Sequence, residues 1–278
     1  MTAAVTLIGS LTAALGLALG SFLNVVVHRV PAGLSVVAPA SACPRCAHPI
    51  RRRDNVPVVS WLVLRGRCRD CATPISVRYP LVEAATAVLF VLVAVRFLFL
   101  PGAESTPAGL AGQLVLLVAL LTAMAGSVAL ALIDLDTHRL PNRIVLPAYP
   151  VLLVLLTLSS ALTGEWSALL RGLVGMVVLG GVYLLLALAV PRGMGLGDVK
   201  LAGVLGLVLA YLGWGPLAVG AFAAFLLGGT FGIVLLVAGR ARRSTGIPFG
   251  PWMLLGAWVG AFAGGPIWGA YLRLLGLD

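Results

Sequence analysis

The stretch "GMGLGDVKL" (193–201) places a carboxylate, Asp198, and the only lysine of the chain, Lys200, between two long apolar runs. The rest of the sequence is also apolar, since 60% of its 278 residues are hydrophobic and 10% are charged. Its mean hydropathy is +1.09, whereas about a quarter of the residues of a soluble domain are charged. The composition therefore excludes an ordinary soluble protein and indicates a membrane protein.

Apolar segments long enough to cross a bilayer recur along the chain, each crossing needing about 20 residues. The sequence predicts eight membrane-spanning helices, at 3–28, 81–100, 110–133, 144–162, 168–190, 199–213, 216–238 and 249–272. The "GWGP" break (213–216) leaves 199–213 short for a crossing, so seven spans is the alternative. The first segment lacks a basic region before it and is too long for a signal peptide, so we expect a retained helix.

The net charge of +10 is concentrated in alternate loops. Nine arginines lie between 29 and 78, and further basic residues lie at 139–143, 192–200 and 240–243. The intervening loops "PGAESTPAG" (101–109) and "TGEWS" (163–167) contain no Lys or Arg. The positive-inside rule then predicts that the basic loops are cytosolic and that both termini lie outside if there are eight spans. The basic residues orient the protein in its membrane, and we expect no nucleic-acid partner.

All four cysteines lie in the one sizeable soluble segment, 30–80. Within it, "CPRCAHPIRRR" (43–53) and "CRDCATPISVR" (68–78) align without a gap and form an internal repeat. Two C-x-x-C pairs near this spacing are typical of a four-thiolate zinc site. The predicted zinc ligands are Cys43, Cys46, Cys68 and Cys71. The zinc would stabilise a segment too small to bury much core. The alternative is a pair of disulfides or a redox-active dithiol, which reduced cytosolic thiols disfavour.

Four of the nine acidic residues lie at or beside the predicted helices: Glu83, Asp134, Asp136 and Asp198. A carboxylate in an apolar span is costly and therefore indicates a function. Asp134 ends the third span in "ALIDLDTHRLPN" (131–142), and Asp198 opens the sixth, so both are predicted at the cytosolic edge of the bilayer. Glu83 opens the second span, where a helix cap or an anchor explains it as well as a function does.

Asp134 and Asp136 are not equivalent. Residues two apart in a helix point about 200° away from each other, so both cannot face Asp198 while the helix continues. Asp134 follows the unbroken apolar run "VALALI" (128–133), whereas Asp136 lies near His138 and Arg139. We therefore predict that Asp134 forms the pair with Asp198.

Two adjacent carboxyl groups share one proton, because like charges in contact cannot both ionise. The anion can take a proton from a water that attacks a peptide carbonyl, while the protonated partner stabilises the oxyanion. Gly193, Gly195 and Gly197 leave room for an extended substrate near Asp198. The residues alone favour an intramembrane protease. A transporter that uses the two acids as a proton or cation site, and a scaffold protein that needs neither acid, remain open at this point.

Six motifs together resemble the bacterial type 4 prepilin peptidases, aspartic proteases of the GxGD class. They are "GSFLNVVVHRVP" (20–31), "CPRCAHPI" (43–50), "DNVPVVSWLVLRGRCRDC" (54–71), "RYPLVEAATAVLF" (78–90), "IDLDTHRLPN" (133–142) and "GLGDVK" (195–200). The GxGD motif alone is short, but its combination with the double C-x-x-C and the aspartate-to-proline block is specific. One departure is Asn142, where many relatives with the insert have aspartate.

The resemblance implies an all-α, polytopic enzyme of the bacterial cytoplasmic (inner) membrane, with roles in type IV pilus assembly and type II secretion. Such enzymes remove the basic leader of type IV prepilins or pseudopilins at the cytosolic face, and the implied catalytic pair is Asp134 and Asp198. Members with the cysteine insert usually also methylate the new N-terminus with S-adenosylmethionine, whose site here is not predicted. The expected domains are a first helix (1–29), the insert (30–80) and a peptidase core (81–278). The expected partners are the substrate and membrane lipids, with no prediction of oligomeric state.

Overall fold

The computed structural model describes residues 2–98, 106–189, 194–240 and 248–277, and it is built almost entirely of α-helices. The long helices are α1 (Thr2–Arg29), α3 (Arg78–Leu98), α4 (Pro107–Thr137), α5 (Asn142–Thr163), α6 (Trp166–Ala189), α7 (Leu196–Leu212), α8 (Trp214–Val237) and α9 (Gly250–Leu274). A short helix, α2 (Val59–Val63), lies in the cysteine segment. The described residues contain two isolated β-bridges and no strand, so the predicted all-α fold is confirmed.

Each of the eight predicted segments corresponds to one long helix. Seven of these helices in the described part of the chain are long and apolar enough to cross a membrane: α1, α3, α4, α5, α6, α8 and α9. The exception is α7, whose 17 residues extend about 26 Å at 1.5 Å per residue. The hydrocarbon core of a bilayer is about 30 Å thick, so the difference between seven and eight spans depends on this one helix.

The chain divides into two compact units, Met1–Gly102 and Ala103–Asp278. In the first unit, α1 and α3 pack closely because α1 has glycines at the contact. A Cβ atom at Gly16 would lie 2.6 Å from the Cα atom of Ala87, and one at Gly20 would lie 2.7 Å from the Cα atom of Glu83. The cysteine segment connects these two helices and belongs to the same unit.

In the second unit the closest helix contacts are made through small residues. A Cβ atom at Gly206 of α7 would lie 2.3 Å from the carbonyl oxygen of Gly175 in α6, and one at Gly256 of α9 would lie 2.4 Å from the amide nitrogen of Ala224 in α8. Helices in lipid gain little from hydrophobic burial against each other, so close van der Waals packing of small residues stabilises their association.

Two hydrogen bonds, one near each end of α7, join this helix to α5. Near its start, the carbonyl of Lys200 accepts a hydrogen bond from the Tyr149 hydroxyl at 2.6 Å. Near its end, the Tyr211 and Ser160 hydroxyls are 3.0 Å apart and hydrogen-bonded. Tyr149 precedes Ser160 by 11 residues along α5, as Lys200 precedes Tyr211 by 11 residues along α7, so the two helices run parallel between these contacts.

The end of α7 is held by a cation from α6. Arg171 donates from Nε to the carbonyl of Ala210 at 2.6 Å and from Nη2 to the carbonyl of Tyr211 at 2.7 Å. The last carbonyls of a helix have no partner within the helix and carry a partial negative charge. Arg171 therefore supplies both hydrogen bonds and charge compensation where α7 ends.

We expect the substitution Arg171→Met to destabilise the protein by about 2 kcal/mol, because two buried carbonyls would lose charge-assisted hydrogen bonds. The measurement is the thermal unfolding midpoint of the purified protein in detergent. Arg273→Met, which removes an exposed arginine from the last turn of α9, is the matched control and should unfold near the wild-type temperature. If both variants unfold at that temperature, Arg171 does not stabilise α7.

Candidate functional site

Asp134 lies in the last turn of α4 and is 5% exposed. Its Oδ2 atom accepts a hydrogen bond from the N–H of Gly250, the first residue of α9, at 3.1 Å. The helix ends shortly afterwards because His138 takes a left-handed conformation, with φ of 53°. A buried carboxylate at the end of one helix is thus bonded to the start of another.

Asp198 is the third residue of α7 and is half-buried. Its Oδ2 atom accepts a hydrogen bond from the N–H of Gly195, the N-cap residue, at 3.0 Å. The N-terminus of a helix carries a partial positive charge, which favours an anion at this position. Both predicted carboxylates therefore accept a glycine N–H at a helix N-terminus.

The structure brings Asp134 and Asp198 together although they are 64 positions apart in the sequence. The side chain of Leu140 packs against both Gly197, next to Asp198, and Gly250, which donates to Asp134. Cβ atoms at these two glycines would lie 3.1 Å and 3.2 Å from Leu140. The C-terminus of α4 and the N-termini of α7 and α9 therefore converge on one place.

Asp136 is exposed, whereas Asp134 is buried. This difference follows from helix geometry, because α4 continues to Thr137 and residues two apart point away from each other. The expected inequivalence of the two neighbours is present in the structure.

An aromatic cluster lies beside the two carboxylates. The buried ring of Tyr183 from α6 packs against Phe225 from α8 and Phe249, with centroid distances of 5.5 Å and 6.4 Å. Because Phe249 directly precedes Gly250, the cluster holds the start of α9 near both acids.

Sequence reasoning missed Gly250 and Phe249. The available signal was "PFGPW" (248–252), in which a glycine and a proline occur at a helix start. That signal predicts where α9 begins, but it does not reveal which carboxylate the first N–H will contact.

Lys200, the only lysine of the chain, is hydrogen-bonded to Asn142, the residue that departs from the family pattern. Lys200 donates from Nζ to Oδ1 of Asn142, the first residue of α5, at 3.1 Å. An aspartate at 142 would place an ion pair there instead. Since exposed ion pairs contribute little, Asn142 preserves the contact between the starts of α5 and α7.

The four cysteines form a second candidate site, within the first unit. All are free thiols, and the sulfur atoms of Cys43, Cys46, Cys68 and Cys71 lie within 4.8 Å of one another. The Sγ atoms of Cys43 and Cys71 are 3.7 Å apart. Zn–S bonds of about 2.3 Å in a tetrahedron place sulfur atoms about 3.8 Å apart. The arrangement fits a metal held by four thiolates.

The sequence repeat around the cysteines is also a structural repeat. Each knuckle is closed by one antiparallel β-bridge, between Ala42 and Pro49 and between Arg67 and Pro74. The residue after the second cysteine of each pair, Ala47 or Ala72, has a positive φ, 58° and 55° respectively. Both knuckles therefore turn in the same way and present their two sulfur atoms to the same centre.

Charged side chains connect the two knuckles. Arg51 after the first pairs with Asp70 in the second at 2.8 Å, and Arg69 pairs with Asp54 through Nε and Nη2. The hydrogen bonds from Arg69 lower the pKa of the Asp54 carboxyl. Hydrogen bonds with Thr73 lower the pKa of the Cys71 thiol to about 6. Burial and the neighbouring thiols raise the pKa of Cys46 to about 12, so without a metal Cys71 is the thiol of this cluster that most readily forms the thiolate.

Glu83 is buried, with 8% of its surface exposed. Its carboxylate accepts a hydrogen bond from the N–H of Val58, in the cysteine segment, at 2.7 Å. This hydrogen bond attaches the cysteine segment to α3. The structure therefore supports a role for Glu83 as an anchor of that segment.

Comparison with known proteins gives concordant matches. Two family models match, the bacterial peptidase A24 N-terminal domain at residues 14–97 and the type IV leader peptidase family at residues 121–233. Proteins named prepilin leader peptidase/N-methyltransferase are similar over nearly the whole chain. The one from Stutzerimonas stutzeri is 36% identical and covers 93% of this chain and 92% of its own length.

The corresponding proteins of Aeromonas salmonicida and Pseudomonas aeruginosa are both 37% identical, over 96% and 95% of this chain and 94% and 93% of their own lengths. No solved structure matches the chain significantly. At this identity and coverage, the chain belongs to the type IV leader peptidase family.

Proposed function

We propose that this member of the type IV leader peptidase family is a membrane-embedded aspartic endopeptidase that removes the leader of type IV prepilins or pseudopilins. By the names of its relatives, it also N-methylates the new N-terminus. The observation that carries the proposal is the convergence of Asp134 and Asp198, each with one oxygen on a glycine N–H. The transporter alternative has no comparable support, since both acids lie at helix ends and the relatives are named as peptidases.

The two carboxyl groups can divide the work of peptide hydrolysis. One is ionised and takes a proton from the water whose oxygen attacks the scissile carbonyl carbon. The other is protonated and donates to the carbonyl oxygen as negative charge develops there. When the C–N bond breaks, the carboxyl group that took the proton from water gives it to the leaving amine, and its partner regains a proton from the hydroxyl of the intermediate as the carbonyl re-forms. The glycine N–H groups fix one oxygen of each carboxyl, which keeps both side chains oriented through these steps.

The cysteine segment fits a structural zinc ion, with Cys43, Cys46, Cys68 and Cys71 as ligands. Bound zinc would join the two knuckles, whose own contacts are turns and ion pairs on the surface. S-adenosylmethionine is the methyl donor that the N-methyltransferase activity requires, and no residues are assigned to its site.

We place the two acids at the cytosolic face of the bacterial cytoplasmic membrane. Arg139, Arg143 and Lys200 lie at the end of the second unit that carries Asp134 and Asp198, and Arg240 follows α8 at the same end. The connection between α5 and α6, at the opposite end, has Glu165 and no basic residue. The positive-inside rule supports this orientation. This orientation also requires α7 to cross the membrane. If α7 did not cross, α8 would end, with Arg240, on the non-cytosolic side.

Substitution of the acids tests the proposed peptidase. We expect Asp134→Asn and Asp198→Asn each to reduce leader cleavage by at least about 100-fold, because each removes a proton-transfer group. Asp136→Asn, the matched control two residues away, should retain most activity because Asp136 is exposed. The assay is mass spectrometry of a prepilin incubated with purified enzyme. It reports leader removal and methylation separately. An inactive Asp136→Asn together with an active Asp134→Asn would contradict the assignment.

A pair of glycine substitutions tests the support of Asp134. A Cβ atom at Gly250 would lie 2.6 Å from Oδ2 of Asp134, whereas one at Gly195 would lie 3.3 Å from Oδ2 of Asp198. We expect Gly250→Ala to lower kcat by roughly 10- to 100-fold with little change in KM, because misplacing a reacting group mainly slows the chemical step. Gly126→Ala in α4, where a Cβ atom would have nothing within 4 Å, is the control and should stay close to wild type. Equal effects of the two substitutions would show that contact with Asp134 is not the cause.

Metal analysis tests the second site. Protein purified without oxidants should contain about one zinc per chain, released by a thiol-modifying reagent, since the ligands must be thiolates. Cys43→Ser should lose most of the metal, whereas Ser41→Ala, a nearby change outside the predicted ligand set, should keep it. Four oxidised cysteines and no metal in such a preparation would refute the zinc site.

A further inference from the structure

The short helix α2 has its polar and apolar sides reversed relative to a helix on a water-soluble surface. Val59, Leu62 and Val63 are 54%, 61% and 69% exposed, and their spacing places them on one face. Ser60 is 8% exposed. Its hydroxyl accepts from the N–H of Val56 at 3.0 Å and donates to the carbonyl of Arg53 at 3.1 Å. Three adjacent exposed aliphatic side chains around a buried serine are unfavourable in water.

Glu83 sets the position of α2 along the packed pair of membrane-spanning helices α1 and α3, which is called the α1–α3 hairpin below. Glu83 is the sixth residue of α3, about 7.5 Å from its start, and its side chain leans back toward that start. Since Val58 donates to this carboxylate, α2 begins beside the first two turns of α3. Opposite Glu83 on α1 is Gly20, about 13.5 Å before that helix ends at Arg29. The beginning of α2 thus lies alongside the hairpin and not beyond its ends.

The backbone at this junction is held in a tight turn. Val58 has φ of 60° and ψ of −50°, and the N–H of Val59 donates to the carbonyl of Pro57 at 2.6 Å. This conformation is unfavourable for a β-branched residue. A turn of this kind persists where the surroundings over-determine it, and the buried carboxylate of Glu83 supplies that constraint. The placement of α2 is therefore fixed by a specific contact.

Exposed arginines flank α2 on both sides in the sequence, at Arg52, Arg53, Arg65 and Arg67. An apolar face bordered by cations, at the depth where a membrane-spanning hairpin leaves the bilayer, matches the chemistry of the lipid headgroup–acyl boundary. We propose that the face formed by Val59, Leu62 and Val63 docks the cysteine segment on the bilayer, with the arginines at the headgroup phosphates. This contact would orient the two knuckles relative to the membrane independently of peptidase activity.

The test measures the surroundings of α2 in full-length protein reconstituted into vesicles of phosphatidylethanolamine and phosphatidylglycerol. A nitroxide is attached to a ketone-bearing amino acid introduced at Leu62, which leaves the cysteines untouched. A second label at Val63 provides an independent position should the first disturb folding. Arg45, exposed on the first knuckle, is the control position. A thermal unfolding midpoint close to that of the wild type shows that each labelled protein is folded.

Electron paramagnetic resonance power saturation then compares collisions with oxygen, which concentrates in the bilayer, and with a water-soluble nickel chelate. We expect the oxygen-to-nickel accessibility ratio to be severalfold higher at 62 and 63 than at 45. A ratio at 62 and 63 equal to that at 45 would mean that the face is in water and would overturn the proposal. Low accessibility to both reagents would mean that protein covers the face, from this chain or a second copy, and would overturn it as well.

Discussion

The hydrogen bond from the N–H of Gly250 to the carboxylate of Asp134 joins residues 116 positions apart and constrains the rest of the site. A carboxylate inside a helical membrane protein needs donors, but most backbone N–H groups are already bonded within helices. The first turn of a helix is where backbone N–H groups remain free. Both acids of the candidate site accept from such groups. This requirement explains why the pair lies at helix ends and not in the middle of the bundle.

The same contact explains the glycine at the start of α9. In the approach direction seen here, a Cβ atom at Gly250 would lie 2.6 Å from Oδ2 of Asp134 and collide with the acceptor. The aromatic cluster of Tyr183, Phe225 and Phe249 supplies bulk one residue earlier. Packing of the Phe249 ring therefore holds the start of α9 in place. The absence of a side chain at Gly250 lets the carboxylate of Asp134 reach its N–H group.

Much of this architecture could be predicted from local features of the sequence. The helices follow from apolar runs, the inequivalence of Asp134 and Asp136 follows from helix periodicity, and the matching knuckles follow from an ungapped repeat. The contacts of Gly250 and the acceptor role of Glu83 could not be predicted, because each depends on a partner far along the chain. The division into 1–29, 30–80 and 81–278 stays a prediction. Packing groups α3 with α1 and the cysteine segment.

The number of residues in α7 affects the direction in which the side chain of Asp198 points. Arg171 and Ser160 fix the end of the helix, and each residue adds 1.5 Å of rise and 100° of rotation. From Tyr211 back to Asp198, the direction and depth of the carboxylate therefore follow from the number of residues between them. One additional apolar residue would turn Asp198 away from Asp134 while leaving the helix as apolar as before. Arg171 at one end of α7 thus contributes to the position of the acid at the other end, together with the N–H of Gly195, which hydropathy and motif spacing alone do not reveal.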